Sequence, residues 1–87
     1  MQRHLGAALA RLLRAQGIAI LRVTTTNGNL SALRFYQRRG FRIVAVRPDA
    51  VAASRRMKPG IPEVGEYGIP IRDEIELVLM LDPDRVA

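Results

Sequence analysis

The sequence predicts a mixed α/β (α+β) fold in one small domain that spans residues 1–87. Apolar residues recur with helical spacing in two segments, and a short apolar run follows each of them. The predicted order is helix, strand, helix, strand, short helix, long loop, strand. The chain has 87 residues, of which 48% are hydrophobic and 25% charged, so it has room for one core.

The first predicted helix carries leucines at positions 5, 9, 12 and 13, which share one face at helical spacing. Gly17 predicts its end, because glycine readily adopts the left-handed conformation that terminates helices. Residues 18–23 form an almost wholly apolar run. This run predicts a strand buried on both faces, as in a parallel sheet.

Residues 24–29 have turn composition, and Asn29 predicts the N-cap of a second helix that ends at Gly40. One apolar face is expected on this helix, formed by Ala32, Leu33, Phe35 and Tyr36. A second strand is predicted over residues 41–46.

The remaining segments are a short helix, a loop and a strand. Asp49 predicts the cap of a helix that extends to about Met57. Residues 58–72 are rich in glycine and proline and predict a long loop, whose length favours a functional role. A final strand is predicted from the alternation of Ile75, Leu77, Leu79 and Leu81 with Glu74, Glu76, Val78 and Met80.

The amino-acid composition limits the classes of partner that we expect for the chain. The formal net charge is +6, which suits nucleic acid or anionic small molecules, although scattered surface arginines with no partner fit better. Cysteine is absent and His4 is the sole histidine, so we expect no disulfide and no metal. No apolar run approaches the ~20 residues that span a bilayer, and a signal peptide's apolar region is lacking. We therefore expect a cytoplasmic protein without a membrane partner.

Two motifs carry candidate chemistry. The first, at the start of a helix where N–H groups and the dipole bind phosphate, is Arg3-His4-Leu5-Gly6-Ala7-Ala8. Taken alone, this motif fits an ordinary helix start better than a phosphate site. In the second, Asn29 and Tyr36 lie seven residues apart, so an amide and a phenol share one helix face. Taken singly, each fits a structural role, as a cap and as a core aromatic.

Together the motifs resemble a known family. Asn29-x-x-Ala32-x-x-Phe35-Tyr36-x-x-x-Gly40-Phe41 is similar to the segment after the fifth strand of GNAT N-acetyltransferases. Residues 3–8 resemble that family's pyrophosphate-binding motif, and the resemblance covers about residues 3–81. It implies that residues 1–87 are the C-terminal half of a GNAT domain, an acyltransferase that moves acetyl from acetyl-CoA to an amine without a metal.

The resemblance also implies roles by position. Backbone N–H groups of Arg3, His4, Leu5, Gly6, Ala7 and Ala8 would bind the pyrophosphate of CoA. Asn29 would contact the pantetheine arm or the adjoining cofactor backbone. Tyr36 would be the general acid that protonates the departing CoA thiolate. Neither the acceptor amine nor the general base follows from the resemblance.

Members of the family carry further strands before the pyrophosphate motif, whereas only Met1 and Gln2 precede Arg3 here. We therefore expect the strand at residues 18–23 to expose an apolar edge, and the first helix to lose part of its cover. Such a chain should form a homodimer or another homo-oligomer, or bind a second chain that supplies the missing strands.

Two alternatives stay open. One is a non-catalytic CoA-binding or scaffold half that pairs with another chain. The other is a basic nucleic-acid-binding module built on Arg34, Arg38, Arg42, Arg55, Arg56 and Lys58, which we do not favour because no aromatic residues alternate with these cations. One of four acidic residues could bind or deprotonate the acceptor amine, although a solvated position fits each one better: Glu63, Glu66, Asp73 and Glu74.

Overall fold

A computed structural model describes residues 7–81 of the chain. Three helices and three strands alternate along it, and a short 3-10 turn lies in the last connection. Their bounds are α1 Ala7–Ala15, β1 Ile20–Thr26, α2 Leu30–Arg38, β2 Arg42–Arg47, α3 Val51–Met57, the 3-10 turn Glu66–Gly68 and β3 Glu74–Met80. This order confirms the predicted mixed α/β fold class.

The three strands form one sheet in the order β1-β3-β2. Both β1 and β2 pair antiparallel with β3, so they run in the same direction at the two edges. The expectation of a parallel strand buried on both faces at residues 18–23 is wrong. Within residues 7–81, β1 pairs only with antiparallel β3, and its side chains are mostly half-buried. A single neighbouring strand among the described residues limits its burial.

The core lies around β3, the middle strand. Leu77 at its centre is 0% exposed, and Phe41, Val51, Ile71 and Leu81 are also buried. The predicted alternation along this strand is therefore confirmed at its most buried position. On β2, Ile43 pairs with Leu77 and Ala45 with Glu76, so the ladder is irregular at the residue between them.

Glycines end the first two helices as predicted. Gly17 and Gly40 have φ of 82° and 96°, a region that favours glycine because it has no Cβ. The Gly40 N–H donates to the Gln37 carbonyl at 3.1 Å, and the Phe41 N–H donates to the Tyr36 carbonyl at 3.0 Å. These are the two bonds of a Schellman motif, and they satisfy carbonyls that the helix end would leave open.

One predicted helix cap is confirmed and the other is wrong. The Asn29 Oδ1 accepts a hydrogen bond from the Ala32 N–H at 3.1 Å. The cap of α3 is Ala50 rather than Asp49, and Ala50 makes no side-chain cap bond. Asp49 takes a positive φ of 60°, and its N–H donates to the Asp73 carboxylate at 2.8 Å. Since the Val51 N–H donates to the Arg72 carbonyl at 3.0 Å, α3 begins by docking on the segment before β3.

The predicted apolar face of α2 is wrong at Phe35, which is 48% exposed. The Arg39 guanidinium carbon lies 3.4 Å from the centre of this ring, and its Nη1 donates to the Phe35 carbonyl at 3.0 Å. A cation–π contact thus holds the ring at the surface. None of the helices within residues 7–81 is both long and apolar enough to cross a membrane.

Candidate functional site

Asn29 stands at the N-terminus of α2 and is exposed. Its Oδ1 is used by the cap, and among residues 7–81 no group accepts a hydrogen bond from its Nδ2. An amide nitrogen carries two donors. The cap therefore orients the side chain and leaves Nδ2 able to donate to a ligand, although contact with a cofactor stays a prediction.

Tyr36 lies in the last turn of the same helix and is half-buried. Its ring makes edge contacts with Phe35 and Phe41, at centroid distances of 5.3 and 5.1 Å. Within the described chain no hydrogen bond involves its hydroxyl. Seven residues of helix correspond to ~10 Å of rise, so the structure places Tyr36 and Asn29 on one helix without contact between them. The aromatic contacts fix the ring, and the role of general acid stays a prediction.

The first motif falls mostly beyond the described residues. Arg3, His4, Leu5 and Gly6 lie outside residues 7–81, while Ala7 and Ala8 belong to α1 and Ala8 is exposed. Their predicted contacts with pyrophosphate stay predictions.

Asn27 joins the end of β1 to the segment before β3. Its Nδ2 donates to the Pro70 carbonyl at 2.8 Å, and its Oδ1 accepts from the N–H groups of Arg72 and Asp73, both at 3.0 Å. From the sequence, Asn27 is predicted only to be part of the turn at residues 24–29. An asparagine that follows a strand and precedes glycine was the available signal, because its side chain can both donate and accept.

Two glycines let the long loop (residues 58–73) approach the turn after β1. The Glu66 N–H donates to the Gly28 carbonyl at 3.0 Å. A Cβ on Gly65 would lie 2.5 Å from the Gly28 oxygen, and one on Gly28 would lie 2.9 Å from Ile71 Cγ1. The close approach therefore requires glycine at both positions.

Arg55 holds the same loop from the side of α3. Its Nη2 donates to the Pro62 carbonyl at 2.9 Å and to the Ile71 carbonyl at 3.3 Å, and its Nε donates to the Ile61 carbonyl at 3.2 Å. A guanidinium engaged in this way supports the loop. It is thus a poor member of the basic surface in which the nucleic-acid alternative had placed it.

A cavity of about 290 Å³ opens between the long loop and the turn after β1, and we call it the loop cavity. Its apolar lining comes from Ile61, Pro62, Val64 and Ile71, and its polar lining from Thr26, Asn29 and Glu66. Gly28 and Gly65 complete the wall where the backbones meet. The second motif thus contributes Asn29 to a concave, largely apolar site.

Glu66 is placed against the N-terminus of α2. The Ser31 N–H donates to both carboxylate oxygens, at 3.1 and 3.2 Å. A negative charge is favourable there because the helix dipole is positive at this end. Of the four acidic residues considered as acceptor-binding groups, Glu66 is the one that lines the loop cavity.

Glu74 is used elsewhere, in a polar ladder across the sheet. Ser54 Oγ donates to its carboxylate at 2.6 Å and Arg47 Nε at 3.4 Å, and these contacts lower the pKa of Glu74. Glu76 beside it accepts from Arg47 at 3.0 Å and from Arg22 at 2.9 Å, and these contacts lower its pKa. Both carboxylates are therefore held in the ionised form, which disfavours proton uptake.

Two curated bacterial proteins are similar to the chain, while no protein-family model matches it. The uncharacterized protein YdhI of Bacillus subtilis (strain 168) is 52% identical over 62 residues, which cover 71% of this chain and 39% of YdhI. The uncharacterized protein YxbD of the same strain is 46% identical over 65 residues, covering 75% of this chain and 41% of YxbD. The chain thus spans about two fifths of the length of these relatives.

Two solved structures share the fold. An IAA acetyltransferase from Bacillus cereus ATCC 14579 superposes with a TM-score of 0.64 and 32% identity, over 84% of this chain and 45% of that one. A Bacillus subtilis acetyltransferase in complex with CoA gives a TM-score of 0.61 and 26% identity, over 84% and 47% of the two chains. The chain has a partial GNAT-like fold. The resemblance inferred from the two motifs is therefore confirmed at the level of the fold.

Residues 7–81 contain no group of three or more histidine, aspartate or glutamate side chains that could hold a metal ion.

Proposed function

We propose that this chain is the cofactor-binding part of a GNAT N-acetyltransferase, which transfers acetyl from acetyl-CoA to an amine. The observation that carries the proposal is the shared fold with two solved acetyltransferases, one of them in complex with CoA. The order of the two sequence motifs along the chain supports the same function.

The proposed cofactor contacts follow the chain from its N-terminus. Residues 3–8 bind the pyrophosphate through backbone N–H groups, and Asn29 donates from Nδ2 to the pantetheine arm. Tyr36 lies ~10 Å further along α2, which suits an extended arm that ends in the thioester. The edge contacts with Phe35 and Phe41 support this role because they fix the phenol ring.

In the proposed reaction, the amine nitrogen attacks the carbonyl carbon of the thioester. The new C–N bond forms as the C–S bond breaks, and the departing thiolate takes the proton of the Tyr36 hydroxyl. The nitrogen gives up one proton to a base that the described residues leave unassigned. A proton returns to Tyr36 from solvent, so an amine and acetyl-CoA yield the amide and free CoA.

Two measurements test the proposal. Acetyl-CoA should raise the melting temperature, and titration calorimetry should show binding at one site. Tyr36→Phe should slow acetyl transfer to a panel of primary amines while the affinity for acetyl-CoA is kept. Tyr67→Phe is the matched control, since it removes a hydroxyl from a residue that is 91% exposed. Absence of acetyl-CoA binding would refute the proposal.

A second candidate is a CoA-binding or scaffold part that needs additional strands for catalysis. It is favoured by the position of β1 at an edge of the sheet that residues 7–81 form, and by the exposure of Leu9 and Leu12 at 45% and 54%. We propose that a second copy or a strand-bearing segment covers this surface. Acetyl-CoA binding without turnover would support this candidate. Light scattering coupled to size exclusion tests the association, and a stable monomer would contradict it.

A further inference from the structure

The loop cavity has the size and walls of a site for a small, partly apolar molecule. Its volume of about 290 Å³ lies at the lower limit of ordinary ligand sites. At ~30 Å³ per water-sized group, it holds about ten non-hydrogen atoms. Ile61, Val64 and Ile71 offer aliphatic contacts to such a ligand.

Glu66 lines both the loop cavity and a neighbouring polar cleft that Ser31 and Arg34 also line, so it brings a negative charge to the rim that the two share. One N–H, from Ser31, is shared by both carboxylate oxygens, whereas a carboxylate offers about four lone-pair sites. Across residues 7–81, no arginine or lysine nitrogen forms a salt bridge with Glu66. The charge is therefore free to bind a cation from a ligand.

Hydrogen bonds from the rest of the chain fix the long loop, and with it the position of Glu66. The Glu66 N–H is fixed on the Gly28 carbonyl, and the flanking backbone is held by Asn27 and Arg55. Asn29 lines the same cavity, so a ligand beside Glu66 also lies beside the residue proposed to hold the pantetheine arm.

We propose that the loop cavity binds the acceptor of acetyl transfer, and that this acceptor is a small primary amine with a branched apolar body. The ammonium group pairs with the Glu66 carboxylate and becomes the nucleophilic amine when it releases one proton to solvent, while the apolar body contacts Ile61, Val64 and Ile71. The inference rests on the proposed function, and it adds the acceptor's chemical class and the residue that recognises it.

A purely structural role for Glu66, as a second cap of α2, makes a different prediction. Glu66→Gln removes the charge but keeps a carbonyl oxygen that can accept from the Ser31 N–H. A capping role therefore survives this substitution, whereas ammonium binding does not. Glu63→Gln is the matched control, because it removes the same charge from the same loop at an exposed residue outside the cavity lining.

The probes are isoamylamine, isoamyl alcohol and putrescine, which have equal numbers of non-hydrogen atoms. Each is titrated against isotope-labelled protein, and the amide signals of Gly28 and Gly65 report on the cavity. We expect isoamylamine to bind about tenfold more tightly than the alcohol or putrescine, and Glu66→Gln to weaken its binding about tenfold. Val64→Thr, which is nearly isosteric, should weaken the binding of the amine and of the alcohol by the same factor.

Several results would overturn the inference. If isoamylamine and isoamyl alcohol bind with equal affinity, or if Glu66→Gln binds isoamylamine as tightly as the parent, the Glu66 carboxylate acts only as a cap of α2. If putrescine binds as tightly as isoamylamine, the cavity does not select an apolar body. Competition of CoA with isoamylamine for the same glycine signals assigns the cavity to the cofactor. A parallel titration with acetyl-CoA separates the two proposals: its failure refutes the proposed function, and its success without amine binding refutes this inference alone.

Discussion

The contact between Gly65 and Gly28 predicts a large effect of one added methyl group. In Gly65→Ala the new Cβ would lie 2.5 Å from the Gly28 oxygen and 2.9 Å from its carbonyl carbon. The first distance is about 0.9 Å short of the 3.4 Å at which ordinary contact begins. Both obstacles are backbone atoms, so no side chain can rotate away.

Relief of this overlap requires the long loop to move away from the turn after β1. The Glu66 N–H would then lose its 3.0 Å bond to the Gly28 carbonyl, whose residue is buried. Loss of a hydrogen bond with a buried group costs ~1–3 kcal/mol, and overpacking costs a similar amount. We therefore expect Gly65→Ala to lower the free energy of unfolding by ~2–4 kcal/mol.

Thermal unfolding followed by circular dichroism measures the effect. A loss of ~2 kcal/mol corresponds to a Tm lower by roughly 8–16 °C in a domain of this size. Gly60→Ala is the matched control, because a Cβ there meets nothing within 4 Å. The reasoning fails if Gly65→Ala melts within about 2 °C of the parent, or if the two variants are destabilised equally.

Three further predictions concern the turn, the cap and the sheet. Asn27→Ala should lower the free energy of unfolding by ~2 kcal/mol in urea titrations, because three hydrogen bonds of its side chain are lost; an effect as small as that of exposed Gln37→Ala would contradict this. Asn29→Ser should keep the cap of α2 and the Tm, but calorimetry should show weaker binding of acetyl-CoA. If the variant binds acetyl-CoA with unchanged affinity, Asn29 is not part of the cofactor site. The contacts lower the pKa of Glu74 and Glu76 below the ordinary value of 4.5. Their contribution to stability is therefore present above pH ~4.5 and is lost as the pH falls below it, so melting at stepped pH should show a decline that Glu76→Gln reduces.

Short-range signals predicted much of the fold. Gly17, Gly40 and Asn29 mark helix ends because their conformation or side chain acts within a few residues. Alternation places Leu77 in the core for the same reason. Sheet order depends instead on pairing between distant segments, so the central position of β3 and the antiparallel partner of β1 did not follow from the sequence.

The residues of the candidate site differ in the same way, because some follow from short-range patterns and others depend on distant contacts. Asn29 and Tyr36 were found because both belong to one motif on one helix. The choice of Glu66 among four acidic residues depended on which of them lines the loop cavity, and Glu74 was set aside because Arg47 and Ser54 already engage it. The role of Asn27 did not follow from the sequence, because its three side-chain hydrogen bonds join it to residues more than 40 positions away.

The central place of β3 also has a consequence for the order in which the protein can form. Ile20 pairs with Met80, and Arg47 with Glu74, so the sheet of residues 7–81 assembles only when its last strand has been synthesised. Contacts between such distant residues slow folding, because a long loop must close before they form. In a nascent chain that has reached α3, β1 and β2 of this segment still lack the strand that joins them. Until then both strands present open edges to chaperones and to other nascent chains.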